Sequence, residues 1–191
     1  MKLIFEGHDE RYTVEQSLLN LFPGELPVYG PVQPEDDTWA YVGYREKDEF
    51  FTVKVDLTYR GKNALRYFGG RHSGTAYERE GQRRHAVGAC FFLAAWVFQK
   101  TPPPWGMLTG VRPDKLATQA LAEGKTPEEA RTLLERNYYV TPERAALAAE
   151  TGLAAFEAGG DLGPRDIAVY IGVPFCPTRC AYCSFVSQSV E

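Results

Sequence analysis

The sequence predicts an α+β domain over residues 1–163 and, from residue 164, the opening strand and a cysteine-bearing loop of a second unit. Three observations carry that expectation. Apolar residues alternate strictly between Glu49 and Tyr59, the period of a half-buried strand. Helix-start signals then recur at Thr75, Thr126 and Thr141. A glycine-rich link, Gly159-Gly-Asp-Leu-Gly-Pro164, precedes a charge-free apolar run and three closely spaced cysteines.

Taken in order, Lys2 to Glu6 reads as a strand, and Val14, Leu18, Leu21 and Phe22 repeat at helical spacing. Pro27 to Asp37, with three prolines and a run of acids, reads as a loop. Trp39 to Tyr44 and Glu49 to Tyr59 form a hairpin around Arg45-Glu-Lys-Asp48. In its second arm Phe51, Val53, Val55 and Leu57 share one face; Thr52, Lys54, Asp56 and Thr58 share the other. A third strand is expected at Ala64 to Phe68. Thr75-Ala-Tyr-Glu78 is a capping box that opens a helix reaching about Gln99, where Thr101-Pro-Pro-Pro-Trp105 stops it. Lys115 to Glu123 is a further helix, and Thr126-Pro-Glu-Glu129 and Thr141-Pro-Glu143 start two more, ending near Ala158. Ile167 to Val173 reads as a strand buried on both faces, as in a parallel sheet.

Bulk properties exclude several classes. The 191 residues carry a formal charge of -4, without the basic excess of a phosphate-backbone binder, so no nucleic-acid partner is expected. An acidic residue, Glu6, interrupts the N-terminus before any signal-peptide core. The longest apolar run, Ala86 to Phe98, falls short of the roughly 20 residues a membrane span needs. A cytoplasmic protein with reduced thiols and no membrane partner is expected. Of four cysteines, Cys90 lies inside that apolar run and reads as a packed core thiol.

Cys176, Cys180 and Cys183 are spaced C-x3-C-x2-C in a loop after the last apolar run. Four thiolates close a 4Fe–4S cluster; three leave one iron open. That open iron suits chelation by the amino and carboxylate groups of S-adenosylmethionine (SAM), whose S–C bond an electron from the cluster then breaks. Two other readings stay open on spacing alone. The thiolates hold zinc with His72 or His85 as a distant fourth ligand, although the second short cysteine hairpin of structural zinc sites is missing. Alternatively they are inert.

Tyr170-Ile-Gly-Val-Pro-Phe-Cys176 through Cys183-Ser-Phe185 resembles the oxygen-independent coproporphyrinogen III oxidase family of radical SAM proteins. More narrowly it resembles the HemZ-type coproporphyrinogen dehydrogenase branch, which carries a non-barrel region ahead of the cluster loop; Trp105 to Lys115 is also similar to a segment of that branch. The strong resemblance covers about residues 165 to 191. It implies an α+β N-terminal domain followed by the first strand and cluster loop of a truncated radical SAM (β/α) barrel. It implies that Cys176, Cys180 and Cys183 ligate the 4Fe–4S cluster, that Tyr170 contacts SAM, and that Tyr182 packs beside the adenosyl group.

In this sequence Gly172 stands where the family usually has histidine, and Phe185 where many coproporphyrinogen oxidases carry a further cysteine. Phe185 is usual in the related haem-chaperone branch. The resemblance implies, for a complete protein, oxidative decarboxylation of a porphyrinogen substrate with electrons from an unidentified donor; a haem-binding chaperone on the same scaffold is the alternative. Residues 1–160 as a separate interaction module, delivering electrons or substrate, is a further reading. Arg66, Arg71, Arg79, Arg83, Arg84 and His85 offer cations to substrate carboxylates or form a solvated helix face, and Arg112 sits in a turn suited to a salt bridge. Only 28 residues follow Gly163, against about 250 for a full eight-unit barrel, so the chain is expected to be a fragment without catalytic residues of its own.

Overall fold

The computed structural model describes residues 1–109, 112–160, 163, 165–167 and 169–176. The chain divides into two units, Met1–Glu157 and Ala158–Glu191. The first opens with β1 (Lys2–Glu6), α1 (Arg11–Leu21) and a short β2 (Val28–Tyr29). A meander follows: β3 (Trp39–Lys47), β4 (Phe50–Tyr59) and β5 (Lys62–Arg71). Then come α2 (Ala76–Trp96), α3 (Pro113–Ala122), α4 (Pro127–Tyr138) and α5 (Pro142–Gly160). The α+β expectation for this region is met.

The strands form one five-stranded sheet in the order β2-β1-β3-β4-β5. β1 runs parallel to both of its neighbours, and α1 supplies the crossover that parallel pairing requires. β3, β4 and β5 are antiparallel. The alternation read in β4 is the sheet's two-sidedness: Val53, Val55 and Leu57 are fully buried, and Phe51 nearly so. Register sets Val53 between Tyr44 and Phe68, Val55 beside Val42, and Leu57 between Ala40 and Ala64. Burying each such Val, Leu or Phe contributes about 1.5–3 kcal/mol before entropy is counted.

Two helices cover that face. α1 presents Val14, Leu18 and Leu21 at i, i+4 and i+7. It begins at Arg11, three residues before the first periodic residue, because Glu10 occupies the N-cap without a side-chain cap and turns its carboxylate to Arg83 instead. α2 starts on the expected capping box: Thr75 N–H donates to Glu78 Oε2 (2.6 Å) and Glu78 N–H to Thr75 Oγ1 (3.3 Å). Its second half, Ala86 to Ala95, is buried almost throughout, the fate expected of the apolar run. The helix ends at Trp96, short of Gln99. β2 lies inside the segment read as a loop; two residues between Pro27 and Pro31 are too few to show a period.

α3, α4 and α5 pack around a second, alanine-rich core of Ala117, Ala120, Ala130, Leu134, Val140, Ala145 and Ala148. Small side chains let backbones close up: a Cβ on Gly152 would sit 2.6 Å from that of Ala117. α4 repeats the Thr126/Glu129 capping box with proline at N1. Gly106 is the position where the link between α2 and α3 needs glycine. Its φ is +55°, and a Cβ there would lie 2.1 Å from the Tyr138 carbonyl oxygen. That approach lets Met107 N–H donate to Tyr138 O at 2.9 Å and ties the link to the end of α4.

In the second unit the strand expected over Ile167 to Val173 does not form among the described residues. Ile167, Val169, Ile171 and Val173 are 77–85% exposed, where burial on both faces was expected. An apolar strand buries itself only against neighbouring strands that take its backbone hydrogen bonds. Residues 165–167 and 169–176 supply none, and among the described residues there is no barrel.

Candidate functional site

The cysteine motif begins at the edge of the described residues. Cys176 is exposed and outside any disulfide, so its sulfur is open to a metal. Cys180, Tyr182 and Cys183 lie outside the described residues. Among the described residues no three metal-ligating side chains gather. One free sulfur in an exposed segment fits iron ligation.

Tyr170 is 91% exposed, and its ring leans on Gly172: a Cβ there would lie 3.2 Å from Tyr170 Cε1. Glycine at 172 therefore leaves the room this ring position takes. A side chain at 172 would displace the ring by a few tenths of an ångström.

The three histidines all belong to the first unit, in three different settings. His8 accepts the Glu10 N–H at Nδ1 (3.1 Å), which leaves Nε2 protonated to donate to Val42 O (3.2 Å). Burial lowers its pKa. His72, the zinc reading's first candidate, is engaged elsewhere: its Nε2 lies 2.8 Å from Tyr44 Oη and 2.9 Å from Glu46 Oε1. Tyr44 Oη donates to the same Glu46 oxygen at 2.6 Å. The hydrogen bond from Tyr44, seconded by His72, holds the Glu46 carboxyl below its ordinary range; burial and Glu46 together push the Tyr44 phenol well above its own. A carboxylate only accepts, so the His72 proton sits on Nε2 and buried Nδ1 keeps no partner among the described residues. His85, the other zinc candidate, lines a cavity beside the first half of α2.

The arginines set aside for substrate carboxylates are largely spent on the protein's own acids. Arg83 pairs with Glu10 at 3.0 Å, Arg84 with Glu80 at 2.8 Å and Glu10 at 3.6 Å, and Arg71 with Glu49. Arg79 donates to Gly74 O and Arg66 to Leu65 O. Arg112 stands at the N-cap of α3 and forms no ion pair among the described residues, where a salt bridge was expected. The Tyr44–Glu46–His72 cluster and the half-buried Arg83–Glu10 pair went unnoticed in the sequence. His72 joins Glu46 and Tyr44 from 26 and 28 positions away and Arg83 lies 73 from Glu10, so no local pattern signals either group.

The α+β unit and the Tyr170-Ile-Gly-Val-Pro-Phe-Cys176 segment after it both fall within a likeness to a known protein. The chain is similar along its whole length to the oxygen-independent coproporphyrinogen-III oxidase-like protein HemZ of Bacillus subtilis (strain 168). The two are 30% identical over 200 residues, which take in 100% of this chain and 39% of the relative. The resemblance read at residues 165 to 191 thus extends through the α+β unit. No family model matches the chain, and no solved structure does. Among the described residues no helix is long and apolar enough to cross a membrane.

Proposed function

We propose that this chain is the N-terminal part and cluster loop of a radical SAM oxidoreductase that acts on a porphyrinogen. The observation that carries the reading is the C-x3-C-x2-C triad directly after Tyr170-Ile-Gly-Val-Pro-Phe175, in a chain whose whole length aligns with a coproporphyrinogen-III oxidase-like protein. In this reading Cys176, Cys180 and Cys183 hold a 4Fe–4S cluster, with Tyr170 and Tyr182 beside SAM. A cluster held by three thiolates supplies the electron that cleaves SAM to a radical able to take a hydrogen atom from substrate. The exposed Cys176 offers its sulfur without rearrangement, and Gly172 leaves the Tyr170 ring its place.

The reaction proposed for the complete protein is oxidative decarboxylation of two propionates of coproporphyrinogen III to vinyl groups, giving protoporphyrinogen IX. A donor would supply the electron that reduces the cluster, and each propionate carboxyl would leave as carbon dioxide with one electron passed to an acceptor. Phe185 favours a second reading, a haem-binding chaperone on the same scaffold.

Anaerobic reconstitution with iron and sulfide, followed by EPR of the reduced sample with and without SAM, tests the class. A cluster signal that shifts with SAM is expected from a chain extended to the relative's length. No cluster there would return the cysteines to zinc or to inert thiols. Chromatography of porphyrin products against haem titration then separates the oxidase from the chaperone.

A further inference from the structure

A cavity of about 290 Å³ opens between α1 and the first half of α2, walled by the link at residues 107–109 and by Tyr138. Its sides come from Tyr12 and Gln16 of α1, Gly81 and His85 of α2, and Met107. The walls are mainly carbon, and two glycines shape them. Gly88 closes the inner end: a Cβ there would meet Thr13 Cγ2 at 3.0 Å and Met107 Cε at 3.1 Å, so side chains already fill that space. Gly81 does the opposite, since nothing lies within 4 Å of where its Cβ would project. Met107 belongs to the Trp105–Lys115 segment singled out in the sequence, whose place Gly106 fixes.

Two half-buried side chains with polar groups line this space. His85 and the Tyr138 hydroxyl make no hydrogen bond among the described residues, although their rings meet edge to face at 5.1 Å. Burial lowers the pKa of His85 and raises that of Tyr138, so both are uncharged near neutrality. A neutral imidazole keeps one nitrogen as an acceptor.

Size and charge narrow the occupant. A dry apolar cavity of about 150 Å³ takes one benzene ring. The volume here is about twice that, which suits two fused rings. The nearby cations are occupied: Arg84 pairs with Glu80 and Glu10, and Arg83 with Glu10. Arg84 also lines the cavity, with its charge shared between Glu80 and Glu10, so a carboxylate there competes with two acids already in place.

We propose that this cavity binds an uncharged two-ring aromatic group bearing one N–H or O–H, which donates to the free nitrogen of His85. The group is either a free small molecule or an indole carried on a partner's chain. The site is independent of the cluster and of the substrate assigned above.

The test is an NMR titration of the 191-residue chain with 2-naphthol, with 2-naphthoate and N-acetyltryptophanamide as companions. Saturable shifts confined to α1, the first half of α2 and residues 107–109 are expected with 2-naphthol, at least about tenfold tighter than with 2-naphthoate. Gly81→Leu fills the mouth from a helical position where leucine is the better helix former, so the fold is retained while binding is lost. His85→Phe keeps the ring and removes the acceptor, and binding weakens by about tenfold. Binding of N-acetyltryptophanamide at the same residues assigns the ring to a partner chain; its exclusion, with 2-naphthol bound, assigns a free molecule. Tighter binding of 2-naphthoate, no saturable shifts, or full binding in folded Gly81→Leu overturns the proposal.

Discussion

Ala86 to Ala95 and Val169 to Phe175 are both unbroken apolar stretches, and they end in opposite environments. The first is buried almost residue by residue, with Val87, Cys90 and Phe91 fully enclosed. The second is exposed, from Phe175 at 52% to Tyr170 at 91%. The backbone accounts for the difference. A helix satisfies its own N–H and C=O groups and needs only side-chain partners, which the sheet and α1 provide. A strand must borrow its hydrogen bonds from neighbours before its side chains can be covered. Apolar composition is a statement about what a segment can bury, and partners decide whether it does.

Each stretch carries or adjoins a cysteine, and the largest contrast lies there. Burial pushes the Cys90 thiol up from 9.0 to about 12, which alone cuts its thiolate by a factor on the order of 10³. Peptide-resolved alkylation with iodoacetamide should label exposed Cys176 at least that much faster than Cys90. Comparable rates in native buffer would mean the α2 core opens readily.

Truncation sharpens the comparison next. Phe91→Ala should cost about 3–5 kcal/mol in urea unfolding, while Ile171→Ala should stay within about 0.5 kcal/mol. A cost at Ile171 near that at Phe91 would show that the second stretch is packed after all. A polar analogue follows in size. Tyr44→Phe removes the donor that Glu46 accepts inside the buried cluster, and should cost about 1–3 kcal/mol. Thr126→Ala, which leaves the Glu129 N–H without its cap, should cost about 1 kcal/mol.

These elements also divide what could be read from the sequence from what could not. The β4 face, both capping boxes and the buried fate of the α2 run were all legible, because each is written in residues no more than a few positions apart. β2 was not, since its pairing with Lys2 and Leu3 leaves no trace in two residues. The start of α1 was missed because Glu10, the residue at its cap, serves Arg83 seventy-three positions away. The cavity was invisible for a related reason: α1, α2, the link and α4 each contribute one wall. At the cysteine motif the reverse holds. Spacing and neighbours carried a resemblance over about residues 165 to 191, and the likeness to a known protein runs the whole chain, whereas the described geometry contributes one exposed thiol and one tyrosine.

The smallest effect concerns acid. Burial lowers the pKa of both His8 and His85 in the folded state. The unfolded chain therefore takes up these protons first, and stability should fall as pH drops below the ordinary histidine value of 6.5 and on toward their lowered folded values. His8 carries a further penalty, since its protonation takes away the acceptor of the Glu10 N–H. Urea midpoints between pH 7.5 and 5 should decline, less steeply in His85→Phe. A flat profile in the parent chain would remove both histidines from the account.

β5 closes the sheet order at one end, so a ten-residue row of backbone groups there has no strand beside it among the described residues. Such a margin is a template for a second copy, and self-association is its natural hazard. The strand's own composition counters this. Lys62, Arg66 and Arg71 place like charges along the margin, and Gly69-Gly70 weakens its capacity to propagate a ladder. Two copies meeting there would bring six cations together, so the same residues that write the strand also keep neighbouring molecules from extending it.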